Sequence, residues 1–464
     1  MIRIFRHYIA GIYAVVFLME LSVFATAFYF GELLRNFSRG LNFFSTDGIW
    51  VPSLAFCAVM MPCLTGMGLY QRAHLVGEIG IMLRIYAGCV LGWAILSLLF
   101  RLPPQLISWI PVVPYALGVS MAGVTVTRFL FLSLADQRSL KRRILVLGAG
   151  AHGNLIQEFA RRNPAAAFRV IGHVRMGAEA VCVDPDSLRE VDSRLLGLVR
   201  AEDIDEIVVA PDDRRGGRLK VEEILDCKIE GYSVVDLLSF FEREAGLLRV
   251  DSLHPSWLMF SDGFRLVGVA QVIKRGFDIL ASLALLLVTW PVMALAALAI
   301  LAESGWRAPV LYRQVRVGRH GKPFKVIKFR SMRTDAEKDG KARWAQANDD
   351  RVTRVGRFIR KVRIDELPQL FNVLKSEMSF VGPRPERPEF VEKFAETIPY
   401  YAERHRVKPG ITGWAQLCYP YGSSYEDTIE KLQYDLYYVK NYSIFLDFLI
   451  MLQTAEVVLW GKGQ

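Results

Sequence analysis

The sequence predicts three folded parts: a membrane α-helical bundle, an α/β domain on a parallel sheet, and a second α/β domain anchored by a re-entrant membrane helix. Four apolar stretches near residues 10–30, 51–70, 80–101 and 105–133 are each roughly long enough to cross ~30 Å of hydrocarbon. A strand running into a glycine-rich turn starts at Arg143, and a fifth apolar stretch runs from Phe277 to Ala302. The 464 residues leave room for about three domains. A hydrophobic content of 52% and a mean hydropathy of +0.25 are high for a soluble protein. The boundaries read as 1–140 for the bundle, 141–250 for the first α/β domain, 251–273 for a linker and 274–464 for the rest.

In the bundle, Arg3 and Arg6 precede the first stretch, and Arg138, Lys141, Arg142 and Arg143 follow the fourth. The positive-inside tendency therefore puts both ends in the cytoplasm. The first stretch has no plausible signal-peptidase site and carries Glu20, so it reads as retained. Glu20 and Arg84 lie inside apolar stretches, where a charge marks either a transport path or, in so small a bundle, a helix-to-helix contact or interfacial snorkelling. The second alternative is preferred.

Arg143-Ile144-Leu145-Val146-Leu147 and the following Gly148-Ala149-Gly150-Ala151-His152-Gly153 fit the strand, turn and helix of a dinucleotide-binding fingerprint. With a further apolar strand at Glu206 to Ala210, a Rossmann-like sheet is expected. After the strand near Phe168 to Val174 a dinucleotide binder places an acid for the ribose, whereas this chain offers His173 and Arg175. No Tyr-x-x-x-Lys pair occurs in the chain, which argues against a nucleotide-sugar oxidoreductase or dehydratase. A structural or regulatory domain is preferred over a working cofactor site.

The fifth apolar stretch is long enough to span, but Pro291 near its middle removes a helix hydrogen bond. Lys274 and Arg275 lie before it, and Arg307, Arg313 and Arg316 after it. Basic residues on both flanks keep both ends on the cytoplasmic side, so a re-entrant hairpin is expected, with a kinked full span as the alternative. Near the C-terminus, Ile444 to Trp460 is apolar but interrupted by Asp447, Gln453 and Glu456, which reads as an interfacial helix or a buried core helix.

The chemistry concentrates between these segments. Asp365 and Glu366 precede Leu367, Leu370, Phe371 and Leu374 at helical spacing, with Pro368 in the first turn. Carboxylates at a helix start cap it, hold a metal, or become phosphorylated. Upstream, the alternation in Lys325 to Arg330 puts Lys328 and Arg330 on one strand face, suited to a diphosphate or simply solvated. Downstream, prolines flank Arg384 in Gly382-Pro383-Arg384-Pro385 and restrict the backbone around a guanidinium suited to forked phosphate contacts. The loop Lys408 to Gln416 supplies Lys, Thr, Trp and Gln, types that contact nucleotides or sugars.

From Lys274 to the C-terminus, these motifs resemble the bacterial sugar transferase family, the monotopic phosphoglycosyl transferases. The resemblance includes Lys274-Arg275-Phe277-Asp278, Arg313-Gln314 with Gly318, Lys328 to Met332, Asp349 to Gly356, the Asp365-Glu366 pair and the two loops after it. It implies that the third part has the monotopic phosphoglycosyl transferase fold and moves a sugar 1-phosphate from a UDP-sugar to undecaprenyl phosphate. It further implies Asp365 as nucleophile, Asp365 and Glu366 as Mg²⁺ ligands, and substrate contacts from Lys274, Arg275, Gln314, Lys328, Arg330, Arg384 and Gln416. Asp350 stands where relatives commonly carry proline, and Trp290-Pro291 where they often carry Ser-Pro. The linker, with Pro255-Ser256-Trp257 and Ser261-Asp262-Gly263-Phe264, resembles sugar transferases of exosortase-associated exopolysaccharide systems.

Net charge is +10, from 57 Lys and Arg against 47 Asp and Glu, which suits anionic membrane lipid and phosphate substrates. No nucleic-acid motif is recognised, so nucleic acid is discounted. Arg354, Arg357 and Arg360 face either phosphate and head groups or solvent. The six cysteines and seven histidines show no ligand spacing, so magnesium on oxygen ligands is preferred to a transition metal. The expected enzyme sits in the bacterial inner membrane with its site at the cytoplasmic face, and has surface enough for a homodimer. A nonenzymatic nucleotide-sensing scaffold is the remaining alternative.

Overall fold

The computed structural model describes residues 2–4, 7–9, 11–40, 48–67, 69, 78–134, 141–164, 166–177, 179–191, 194–213, 221–264, 268–305, 308–334, 351–419, 422 and 424–459. Of the sequence readings, those on Arg6, Arg138, Arg307, Asp349 and Asp350 lie outside these residues. The chain forms two compact units, whose main segments are Tyr8–Ala245 and Gly246–Gln464.

The first unit begins with helices α1 (Gly11–Ser38), α2 (Trp50–Gly66), α3 (Glu78–Leu99) and α4 (Val113–Leu134). Segments Val15–Ser38, Ile81–Leu99 and Pro104–Leu130 are long and apolar enough to cross a membrane. The second predicted crossing is shorter than expected, because α2 ends after 17 residues, about 25 Å at the helical rise. Gly66 weakens the helix there, and the Met67 N–H closes it on Cys63 O at 3.1 Å.

The bundle packs as lipid-embedded helices do, through small residues and aromatic layers. A β-carbon on Gly31 would stand 2.6 Å from the Ala116 backbone nitrogen, so α1 and α4 meet through glycine. Phe28 packs against Phe56, Phe100 and Trp109 at ring separations of 5.7, 6.3 and 5.9 Å. Glu20 is fully buried and accepts from Arg128 Nε at 2.5 Å and Nη2 at 3.2 Å, while Arg84 Nη1 donates to Met67 O at 3.1 Å. Both charges thus make contacts within the bundle.

The same unit continues into a four-stranded parallel sheet of β1 (Arg142–Leu147), β2 (Phe168–Val174), β3 (Glu206–Val209) and β4 (Ser233–Asp236), in the order β2-β1-β3-β4. Leu147 faces Val174 on one side and Val209 on the other. Parallel pairing requires crossovers, supplied by α5 (Ala151–Arg162), α6 (Leu195–Ala201) and α7 (Val221–Ile229). Ile144, Leu145 and Val146 are wholly buried, as both-face coverage demands. Helix α8 (Leu237–Glu244), capped by Asp236 accepting from Ser239 N at 3.2 Å, follows β4.

The second unit starts at Gly246, ahead of the segment expected as a linker, and main-chain contacts tie this stretch to the rest of the unit. Trp414 Nε1 donates to Gly246 O at 2.8 Å, Leu248 N to Gln433 O at 3.1 Å and Phe264 N to Lys440 O at 3.0 Å. After α9 (Pro255–Phe260) comes the 36-residue α10 (Val269–Ser304), with Pro291 inside it. It is the fourth helix long and apolar enough to cross a membrane among the described residues. Its middle exposes Leu283, Leu287, Val288 and Trp290, while both ends are bonded to the rest of the same unit. Near the start, Asp278 accepts from Ser379 Oγ at 3.0 Å and Phe380 N at 3.1 Å. Near the end, Ala296 and Ile300 pack with Phe329 and Ile359, and Glu303 accepts from Arg354 N at 2.8 Å.

The rest comprises the antiparallel hairpin β5 (Leu311–Val317) and β6 (Pro323–Phe329), then α11 (Arg354–Lys361) and α12 (Gln369–Leu374). Strands β7 (Ser379–Val381) and β8 (Gly410–Thr412) pair in parallel, with α13 (Pro388–Thr397) between them in sequence. The unit closes with α14 (Trp414–Cys418), α15 (Tyr425–Asn441) and α16 (Ile444–Leu459). Leu446, Asp447 and Ile450 of α16 are buried, so one face of this apolar helix is core.

Candidate active site

Asp365 and Glu366 sit in a 3-10 turn, Ile364–Glu366, between α11 and α12. This corrects the expectation that they open a helix with Pro368 in its first turn: Pro368 is the residue before α12. The turn is fixed on both sides. Thr353 Oγ1 caps α11 by accepting from Gly356 N at 2.9 Å, and Ile364 packs against Phe329 and Ile359. Both carboxylates are only 8% exposed.

Lys328, on β6, reaches the turn because Asn372 bolts α12 to that strand. Asn372 is fully buried, accepts from Ile327 N at 3.0 Å and donates to Lys325 O at 2.8 Å and Glu377 Oε2 at 2.7 Å. The sequence reading passed over this residue, although a polar side chain inside Leu370-Phe371-Asn372-Val373-Leu374 was a signal of a buried clamp. Arg384 arrives from a loop whose backbone is tied down: Gly382 N donates to Thr412 O and Gly410 N to Pro383 O, both at 2.9 Å, and Arg404 Nη2 to Arg384 O at 3.1 Å.

The outcome is a concentration of cations on one carboxylate. Glu366 Oε1 accepts from Lys328 Nζ and Arg384 Nη2, each at 3.1 Å, and Arg363 Nη1 stands 3.9 Å away. Burial disfavours the Glu366 charge, but Lys328, Arg384 and Arg363 outweigh it and hold the group well below the usual carboxylate range. For Asp365, burial and then the Glu366 charge raise the pKa against the pull of Lys328, Arg360 and Arg363. Burial lowers the Lys328 pKa, with Glu366 opposing.

The other expected contacts divide. Arg330 lies just past β6, where its N–H donates to Val310 O at 2.9 Å. Its guanidinium bonds Ser304 Oγ, and its buried Nε has no hydrogen-bond partner among the described residues. Gln416 Oε1 is likewise buried without a partner there. Gln314 accepts from Arg316 Nη2 at 2.6 Å, so it orients that arginine, whose Nη1 donates to Pro385 O at 3.3 Å. Lys274 and Arg275 need a different reading from substrate contact. Lys274, almost wholly buried, bonds Asp278 Oδ1 at 2.7 Å and Ser379 Oγ at 2.6 Å and pairs with Asp447 at 2.9 Å. Arg275 donates to Val373 O at 2.7 Å and Leu374 O at 2.8 Å. Their donors join α10 to the domain, satisfying the last carbonyls of α12 and two buried carboxylates.

Two adjacent carboxylates fit Mg²⁺, which is commonly held by one or two carboxylates together with waters and substrate phosphates. Among the described residues no group of three or more His, Cys, Asp or Glu is placed to hold a metal.

The glycine turn of the first unit is filled from within. Ala151 N and His152 N donate to the two oxygens of Asp212, each at 2.8 Å, and Ala149 N donates to Glu179 Oε1 at 2.7 Å. A helix N-terminus that accepts a ligand phosphate in a nucleotide site here accepts carboxylates of its own chain.

Residues 269–461 match the bacterial sugar transferase family. Across 303 residues, 65% of this chain and 69% of the other, the sequence is 39% identical to UDP-N-acetylgalactosamine-undecaprenyl-phosphate N-acetylgalactosaminephosphotransferase of Aeromonas hydrophila. It is 36% identical over 344 residues, 72% of each chain, to UDP-glucose:undecaprenyl-phosphate glucose-1-phosphate transferase of Klebsiella pneumoniae. A protein of that same description from Xanthomonas campestris pv. campestris is 29% identical over 444 residues, 89% of each chain. The fold and the charged turn define a membrane-associated transferase. The chain belongs to the bacterial sugar transferase family, and it is an enzyme.

Proposed function

We propose that this enzyme transfers a sugar 1-phosphate from a UDP-sugar to undecaprenyl phosphate, releasing UMP through an aspartyl phosphosugar, as the first step of exopolysaccharide assembly. The observation that carries this reading is the pairing of a buried Asp365 with a neighbour, Glu366, on which Lys328, Arg384 and Arg363 converge. Such a turn has a nucleophile and the cations that a diphosphate needs.

Asp365 attacks the β-phosphorus, forming a carboxyl-phosphate bond as the bond to the bridging oxygen breaks. UMP leaves with that oxygen on its phosphate. A phosphate oxygen of undecaprenyl phosphate then attacks the phosphosugar, the bond to Asp365 breaks, and the carboxylate is restored. Because both substrates are anionic, Lys328 and the arginines lower the repulsion felt by a carboxylate nucleophile. Mg²⁺ held by Asp365 and Glu366 would supply further charge neutralisation on the diphosphate. Burial of the dyad keeps water from the phosphosugar, and α10 brings the site to the membrane where the lipid substrate resides.

The bonds from both ends of α10 to one unit favour a re-entrant hairpin over a full span, and a hairpin with basic flanks would keep the site at the cytoplasmic face of the inner membrane. The reading is tested by mixing the purified chain, Mg²⁺ and undecaprenyl phosphate with a panel of UDP-sugars. UMP should appear with a preferred donor and be lost in Asp365→Asn. Release of UDP, or normal turnover by Asp365→Asn, rejects the scheme.

A further inference from the structure

Arg363 occupies a backbone conformation that suits another residue better. Its φ of 59° and ψ of 14° lie in the left-handed region that glycine enters freely and a residue with a β-carbon does not. It follows the last residue of α11 by two positions, where helices most often use glycine or asparagine. Its main-chain bonds, from its N–H to Arg360 O at 3.1 Å and from Glu366 N to its carbonyl at 3.2 Å, are ones glycine makes equally well. Only arginine supplies the guanidinium, which stands 3.9 Å from Glu366 Oε1 beside Lys328 and Arg384.

We propose that Arg363 is a ligand for the diphosphate of the donor and, before the donor arrives, helps to keep Glu366 closed to divalent cations. This rests on the phosphotransferase reading above. A carboxylate oxygen facing three cations is a poor ligand for a fourth. A diphosphate carries more negative charge than a carboxylate and offers oxygens that match a guanidinium fork, so it draws the cations from Glu366 and frees that carboxylate for the metal. Linkage makes the effect reciprocal: donor and metal raise each other's affinity by one factor.

The test uses the full-length chain in nanodiscs and two separate titrations, UDP in the presence of EDTA and Mn²⁺ without nucleotide. Arg363→Gly keeps the turn's backbone and removes the charge, whereas Arg363→Lys keeps the charge. Arg363→Gly should weaken UDP roughly fivefold and tighten Mn²⁺ by a similar factor, since a partly exposed ion pair is lost; Arg363→Lys should lie between it and the wild type. A purely structural role would weaken both ligands, and that result, or no change in either, overturns the inference. If the wild type binds no UDP even with Mg²⁺, the phosphotransferase reading fails and takes the inference with it. Normal UMP release by a wild type whose Arg363→Gly variant binds both ligands unchanged removes the inference alone.

Discussion

Asp365 and Glu366 share one turn, yet their surroundings drive their protons apart. Glu366 stays ionised because its cations outweigh burial, and Asp365 is raised by burial and by the negative charge beside it. In the proposed scheme only the ionised Asp365 attacks, so UMP release should fall on acidification at a higher pH than an ordinary aspartate, near 3.9, would give. In Glu366→Gln the neighbouring charge is gone, and the acid limb of the remaining single-turnover activity should move to lower pH. An unmoved limb would mean that another group controls it. The signs for stability differ. The depressed Glu366 contributes stability that is complete above its unfolded value and lost as pH falls towards its folded one. Ionising the raised Asp365 costs stability, and that cost is complete only above its folded value. Sequence made Asp365, Glu366, Lys328 and Arg384 legible because each belongs to a local motif. It left Arg363 unremarked, because its place depends on a left-handed φ that no residue type announces.

At the scale of elements, the β5–β6 hairpin and α12 act as one piece through Asn372. Its two strand partners, Ile327 N and Lys325 O, lie 45 and 47 residues away in sequence, so spacing alone did not expose the contact. Asn372→Ala leaves those groups and Glu377 without it, and buried polar groups without partners cost about 1–3 kcal/mol each. The variant should therefore be destabilised by about 2–3 kcal/mol in thermal unfolding and should release UMP more slowly, because Lys328 is no longer held at the turn. Stability loss with unchanged turnover would separate the clamp from the chemistry. Lys274 and Arg275 illustrate the opposite difficulty. A basic pair beside an apolar stretch has the same appearance whether it binds phosphate or closes an internal network, and only the positions of Asp278, Ser379 and Asp447 decide for the network.

For the whole molecule, the apolar helices and the parallel sheet followed from periodicity and composition, while α2 proved shorter, ending at Gly66. The topology of α10 has a direct check. With the exposed Cys182 removed, Val272→Cys and Ala302→Cys should both react with an impermeant maleimide in inside-out vesicles, and neither in spheroplasts. A full span would label one site from each side.

The glycine turn closed by Asp212 and Glu179 also bears on how the enzyme meets the cell's chemistry. A diffusing nucleotide phosphate must compete there with two tethered carboxylates, whose effective concentration is of the millimolar order or more. The sheet domain thus comes with its anions built in.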